Sequence, residues 1–345
     1  MKKTLLAIAI PAAIFANSVT AIELYKDDVN SFSIGGHVSL GVTGESNDDG
    51  ETAVDSRSSR LNFAVTREMG NGFTLDAKGE WGINMVEGGE NTFDTRLGYA
   101  GLTHDTWGRA VIGTQWSPYS SVALAADMPI AFGNDFVYED HGNLGTARAD
   151  KMISYTNSFE LGNDANIGFG LGWQGTQTDE KTEYDDRAQA TLFGTVVGIT
   201  AGLAYSSGDV KYATGGTEKA KSIVGSLKYG QFGKGLYLAG VYAKNDYMNN
   251  STVKGAVLPL KETYAYEAIA AYALDNSLNF MINYETVVDD KENDTVYSQA
   301  AFQVEYNFLS NVMGYVGYQQ DLGGDGVYDK NDDNNIWTTG VRVFL

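Results

Sequence analysis

Apolar and polar residues alternate with a period of two in run after run of this chain, and that pattern limits its folds more than any other feature. Between residues 72 and 85, Phe73, Leu75, Ala77, Trp81, Ile83 and Met85 oppose Thr74, Asp76, Lys78, Glu80 and Asn84. The same phase returns in Ile167, Phe169, Leu171 and Trp173, in Val197, Ile199, Ala201, Leu203 and Tyr205, and in Leu278, Phe280, Ile282 and Tyr284. Each run reads as a strand with one apolar and one wet face. About sixteen such runs are counted, the first near 31–44 and the last near 335–345. Past residue 21 no stretch reaches the roughly 18 to 20 consecutive apolar residues that a membrane-crossing helix needs.

The connections decide between a soluble sandwich and a membrane barrel. Short ones, such as Gly70-Asn71-Gly72, Asp105-Thr106-Trp107 and Asp275-Asn276, alternate with long polar ones at 47–56, 176–186, 208–218, 246–260 and 323–334. Tight turns at one end and polar loops at the other are expected of an antiparallel outer-membrane barrel with short periplasmic turns and long extracellular loops. Runs of 10 to 14 residues are long for a sandwich strand and suit a tilted crossing. Aromatics gather near strand ends, among them Trp81, Tyr99, Trp173, Tyr205, Tyr229, Tyr284, Tyr306 and Trp337, as girdles at the two interfaces would. The expected fold is therefore all-β, a transmembrane barrel of sixteen strands, closed because the bilayer offers no water to an open edge. Sixteen strands leave an aqueous lumen.

Residues 1–21 read as a signal peptide: Lys2 and Lys3, an apolar run from Leu5 to Phe15, then small residues ending at Ala21, where cleavage is expected. Residues 22–345 then form a single barrel domain with 22 Lys and Arg against 44 Asp and Glu, a formal charge of -22. That acidity argues against nucleic acid as partner, since phosphate binding needs clustered cations. The absence of cysteine excludes disulfides, thiol catalysis and thiolate zinc sites.

One connection is too long and too apolar for a solvated loop: residues 117–148, between the fifth and sixth strands. Folded inward against the wall, it would bury Met128, Ile130 and Phe132 and turn Asp127, Asp135 or Glu139 toward the channel.

Ser59-Arg60-Leu61-Asn62-Phe63, Thr95-Arg96-Leu97-Gly98-Tyr99-Ala100-Gly101-Leu102 and Arg148-Ala149-Asp150-Lys151-Met152, in this order around a loop bearing Asp127 and Phe132-Gly133, closely resemble the corresponding segments of the Gram-negative general diffusion porins. These are trimeric outer-membrane channels of sixteen strands, and the resemblance runs through essentially the whole length. It implies a basic ladder of Arg60, Arg96 and Arg148 on the barrel wall, with His37 at a first-strand position that is often Lys. Opposite would lie acidic residues Asp127, Asp135 and Glu139, with Asp94 two residues before Arg96 where some members carry Lys. Pro129, Phe132 and Gly133 would pack the third loop. Alternation separately turns Arg60 inward, out of phase with Leu61 and Phe63, and predicts the same for Arg96 against Leu97 and Tyr99. The chain departs from the family at Ala131, where the third loop has glutamate in other members, and at its end, where Phe344 is penultimate and Val341, Val343 and Leu345 carry the apolar phase.

The resemblance implies a water-filled channel for passive diffusion of small hydrophilic solutes and ions, assembled as a homotrimer among outer-membrane lipids and lipopolysaccharide. Net acidity adds an expected moderate cation preference. A substrate-specific porin, for instance for oligosaccharides, is the alternative, because Trp116, Tyr119, Phe136 and Tyr138 lie where an aromatic track would begin. A barrel enzyme is the competing class, and it is disfavoured: the three histidines, His37, His104 and His141, are not expected to meet one another beside a serine. No cofactor or metal is expected. The glycines of Gly168-Phe169-Gly170-Leu171-Gly172 are the inward residues of a strand, and Asp329-Lys330-Asn331-Asp332-Asp333 lacks the turn glycine of a calcium loop.

Overall fold

The computed structural model describes residues 21–46, 50–88, 93–137, 141–162, 164–179, 182–212, 216–253, 256–328 and 334–345. Sixteen antiparallel strands form one closed sheet: β1 (Asn30–Glu45), β2 (Thr52–Ser56 continued by Arg60–Gly70), β3 (Phe73–Ile83), β4 (Phe93–His104), β5 (Gly108–Trp116), β6 (Arg148–Glu160), β7 (Ala165–Gln174), β8 (Thr182–Val196), β9 (Ile199–Tyr212), β10 (Thr217–Gln231), β11 (Lys234–Asp246), β12 (Glu262–Ala273), β13 (Leu278–Asp289), β14 (Thr295–Leu309), β15 (Val312–Asp321) and β16 (Ile336–Phe344). Closure comes from β16 pairing with the upper half of β1, His37 opposite Phe344 and Glu45 opposite Ile336. The lower half of that edge is covered by the segment Ile22–Lys26, with Ile22 opposite Ile34. Leu345 donates its N–H to the Gly36 carbonyl at 3.0 Å, so the two chain ends complete one edge of β1 between them. No part of that edge is left as a template for another chain.

Alternation resolves into an outer and an inner surface. Leu171, Leu192, Leu203, Leu227, Ile282 and Phe302 are at least half exposed, an apolar wall on the outside. The buried residues are inside: Val224, Ala239, Val241, Ile269, Ala271 and Met281 pack against the third loop. This core of a barrel sits between its wall and an inserted loop, and the opposite half of the lumen stays wet.

Strands run further into the loops than the apolar pattern suggests. Thr52–Ser56 and Thr182–Tyr184 are paired backbone, and β9 continues to Tyr212. Beyond the apolar band the outward face of β8–β10 turns polar, with Glu183, Asp209, Lys211, Lys219 and Lys221, while Tyr184, Val210 and Ala220 are buried inside, so the outer apolar phase ends while the ladder of hydrogen bonds continues. Cross-strand ion pairs support it there: Lys211 with Glu183 at 2.7 Å, Lys219 with Asp209 at 3.4 Å and Lys221 with Asp246 at 2.7 Å.

Candidate functional site

The third loop leaves β5 at Ser117 and turns into the barrel at once. Pro118 rests on the inward glycines of β7, where a Cβ on Gly170 would come within 2.9 Å of the proline ring and one on Gly172 within 3.2 Å. The glycine-rich face of that strand is thus a seat for the loop base. A single helical turn, Ser120–Ala123, follows, with Val122 against Gly202, and Tyr119 hydrogen-bonded through its hydroxyl to Ser222 at 2.8 Å. Tyr237 then donates to the Ala125 carbonyl at 2.7 Å.

At its far end the loop is held by acceptors on the wall. Glu305 Oε1 accepts from the Ile130 amide at 3.2 Å and Gln303 Oε1 from the Ala131 amide at 3.0 Å. Glu285 Oε2 takes the amides of Asp135 and Phe136 at 2.8 and 3.1 Å, and Glu267 Oε1 takes that of Val137 at 2.8 Å. Asn283 donates to the Phe132 carbonyl and to Asn134 Oδ1 at 2.8 and 2.6 Å. The returning arm meets donors instead: Gln174 reaches the Gly142 carbonyl at 2.8 Å, Arg187 that of Leu144 at 3.0 Å, and Gln189 that of Gly145. Carboxylate and amide oxygens of β12–β14 take most of the loop's amides, with Asn283 there reaching a carbonyl, and side-chain donors of β7–β8 take the carbonyls of its returning arm. Glu267, Glu285 and Glu305 are all at most 2% exposed, and hydrogen bonding offsets the cost of burying such groups. They stand mid-strand on the inward phase of apolar runs, and that incongruous position was the signal available in the sequence.

On the facing wall, cations surround one carboxylate. Glu80 lies 3.0 Å from Arg96 Nε, 3.2 Å from Lys78 Nζ and 3.6 Å from Arg60 Nη1. His37 is directly opposite Arg60 across the β1–β2 ladder, and its Nε2 donates to the Ser58 carbonyl at 2.9 Å. Arg148 opens β6 opposite Trp116 and is within electrostatic reach of Arg60, as is Arg342 on β16. Asp94 is exposed and shares the face of Gly82 and Arg60. Below, Arg109 pairs with Asp76 and stacks its guanidinium 5.8 Å over Tyr99.

Arg96 reaches this cluster by a route that alternation misses. Lys78 pairs with Tyr99 and Glu80 with Leu97, so Tyr99 and Leu97 share the lumen face with those charges. Leu97 is 3% exposed. Between the pairs Glu80–Leu97 and Trp81–Thr95, β4 has one residue more than β3, and Arg96 is that residue. A bulge re-aims its side chain. The expectation that Leu97 and Tyr99 face away from Arg96 is corrected by this register, and Tyr99 belongs to the lumen rather than to an interfacial girdle.

Of the third-loop residues, Phe132 is 4% exposed and packs on Gly317, Pro129 is buried, and Gly133 is so close to Asp127 that an added Cβ would overlap its carboxylate. Asp127 is half-buried and Asp135 exposed. Met128 and Ile130, expected to be buried, are half-buried. Glu139, Tyr138 and 329–333 lie outside the described residues, as does the proposed signal segment up to residue 20. Trp116 packs on Leu124 and Ala147, and Phe136 is edge-on to Tyr297. Arg57, Lys78, Glu80 and Arg342 complete the charged wall and were not singled out from the sequence.

Residues 4–326 match the family model described as Gram-negative porin. Among curated relatives, outer membrane porin N of Escherichia coli (strain K12) is 26% identical over 93% of each chain. Outer membrane protein U of Vibrio parahaemolyticus is 28% identical over 99% of each. Among solved structures, Salmonella typhi OmpF in complex with daunomycin superposes with a TM-score of 0.80 at 20% identity, over 94% of this chain and 100% of that one. An anion-selective porin from Comamonas acidovorans does so with a TM-score of 0.71 at 18% identity, over 92% and 100%. An OmpT of Vibrio cholerae described as a trimer form has a TM-score of 0.65 at 17% identity, over 92% and 100%. With a closed barrel, an inserted third loop and a family model spanning nearly its whole length, the chain belongs to the Gram-negative porins, proteins of the outer membrane.

Proposed function

We infer that the protein is a general diffusion channel for small hydrophilic solutes and ions, narrowed where the third loop faces the charged wall of β1–β6. The observation that carries this reading is the division of the lumen. One half is filled by the loop latched to β7–β14, and the other half carries Arg60, Lys78 and Arg96 around Glu80, with the three basic side chains still partly accessible at 24%, 27% and 15%. Water and ions pass such a polar gap without a dedicated ligand shell.

The aromatic residues that favoured an oligosaccharide channel are spent on packing. Tyr119 is fully buried on Ser222, Trp116 covers Leu124, and Phe136 rests on Tyr297, which pins the loop and leaves no continuous stacking track among these three.

His37, Arg60, Arg96 and Arg148 are the basic side of the constriction, with Asp94 among them on the same wall, and Asp127 and Asp135 of the third loop are its acidic side. The net acidity of the chain makes the channel moderately cation-selective, through its mouths more than its narrowest point. The protein assembles as a homotrimer in contact with outer-membrane lipids and lipopolysaccharide. Reversal potentials in a KCl gradient test the selectivity: Arg96→Ala or Arg148→Ala raises cation preference and Asp127→Asn lowers it. An anion-selective wild type, or variants that leave the reversal potential unmoved, would contradict these assignments.

A further inference from the structure

Arg57 lies where β2 is interrupted. Leu40 of β1 pairs with Ser56 and His37 with Arg60, so three residues, Arg57, Ser58 and Ser59, oppose two on β1. The extra residue is a bulge, and Ser58 adopts a φ of 58° within it. Arg57 and Arg60 are three apart and would face opposite ways in a regular strand. Asp55 shares the lumen face of Gly41 before the bulge, and Arg60 shares that of His37 after it, so the shift turns both arginines inward. The bulge is well held: His37 and Arg60 both donate to the Ser58 carbonyl, Arg57 donates its N–H to the Ser39 carbonyl at 3.0 Å, and Arg342 donates to the Arg57 carbonyl at 3.3 Å.

The Arg57 side chain leaves the wall and meets the tip of the third loop. Its Nη1 donates to the Ala131 carbonyl at 3.3 Å, and its guanidinium carbon is 5.5 Å from the centre of the Phe132 ring. Nη2 donates to Thr43 Oγ1 at 3.3 Å, and Nε is 2.5 Å from Asp55 Oδ2. The ring is held from the other side by Gly317 of β15, 3.0 Å from where a Cβ would stand. Glu305 and Gln303 secure the amides of Ile130 and Ala131, so the tip has its N–H groups on β14 and its carbonyl on Arg57. The side chains of Arg57 and Asp55 remain 22% and 30% exposed, in contact with lumen water.

We propose that Arg57 is a positioning and selectivity-determining residue of this channel: it seats the loop tip by hydrogen bond and cation–π contact and places a fixed positive charge at the constriction. Lysine is a poor substitute, because a point ammonium cannot both stack on Phe132 and fork between Ala131, Thr43 and Asp55. The proposal rests on the channel reading given above, and one experiment separates the two.

The chain has no cysteine, so Arg57→Cys creates a single addressable thiol. Trimers of this variant are placed in planar bilayers at 0.01 M KCl with a gradient, and reversal potential and open-channel noise are recorded before and after thiol-specific methanethiosulfonates. Loss of the arginine exposes Asp55, and the cation-to-anion permeability ratio is expected to rise about twofold, the effect of one unit charge roughly 10 Å from a permeating ion at low screening. A trimethylammonium reagent returns the ratio toward the wild-type value without quieting the noise, because it restores charge but not the seat. A sulfonate reagent drives the ratio further toward cations. Arg57→Lys, measured alongside, keeps the ratio but raises the noise, and stands in should the cysteine variant fail to assemble. Unmodified and modified channels with the wild-type ratio, or a lysine variant as quiet as wild type, would overturn the role of Arg57. A wild-type protein that does not conduct would instead overturn the channel reading.

Discussion

The Nε of Arg96 stands 3.0 Å from Oε1 of Glu80 because β4 carries one residue more than its partner strand at that level. Without the bulge, Arg96 would share the phase of Gly98, Ala100 and Leu102 and point into lipid, where a cation at mid-depth costs about 2 to 4 kcal/mol. The same device turns Arg57 and Arg60 together into the lumen. Register shifts, rather than strict alternation, assemble this charged wall.

Glu80 is the hub of that wall, with Arg60, Lys78 and Arg96 within 3.6 Å. Glu80→Gln keeps the shape and removes the charge, leaving three uncompensated cations. The permeability ratio is expected to move toward anions by about twofold at low salt, and the shift should shrink by 1 M KCl, where the Debye length is about 3 Å. A salt-independent ratio in this variant would show that Glu80 acts through structure and not through its field.

Glu285 holds two loop amides on one oxygen and also accepts from Gln299. Glu285→Ala strands those donors in a buried setting, at a cost of about 2 to 3 kcal/mol, whereas Glu285→Gln keeps an acceptor and costs less. The alanine variant is expected to show flickering conductance and a lower midpoint of thermal unfolding than the glutamine variant. Equal behaviour of the two would mean that the loop does not depend on this latch.

Ile22 pairs with Ile34 at the lower edge of β1. Residues 1–21 are expected to be cleaved as a signal peptide, on the strength of Lys2, Lys3, the apolar run to Phe15 and the small residues ending at Ala21. Intact-mass measurement of protein extracted from outer membranes is expected to give a chain beginning at Ile22, and a mature chain that retains Lys2 and Lys3 would contradict cleavage after Ala21.

Trimer formation is expected to show as a large species on electrophoresis before boiling and a species near monomer mass after it. A monomer in mild detergent at every concentration would exclude the assembly.

The strand order, the short turns and the inward third loop were legible in the sequence because hydrophobic phase and loop composition carry them locally. Arg60 was legible for the same reason. Arg96 does point inward, but through a bulge and not through alternation, since a bulge is a property of two strands and leaves no mark in one. Glu267, Glu285 and Glu305 went unnoticed because a buried carboxylate makes sense only once the loop that supplies its donors is in place. Arg57 belongs to the same class: its partners Ala131 and Phe132 are more than seventy positions away.

Single-channel recording of the purified protein in a KCl gradient, with and without candidate oligosaccharides, tests the central claim most directly. Stable, ohmic steps with a moderately cation-selective reversal potential and no concentration-dependent block by sugar are the expected result. Silent bilayers, or currents that sugars block in proportion to their occupancy of a site, would contradict a general diffusion channel.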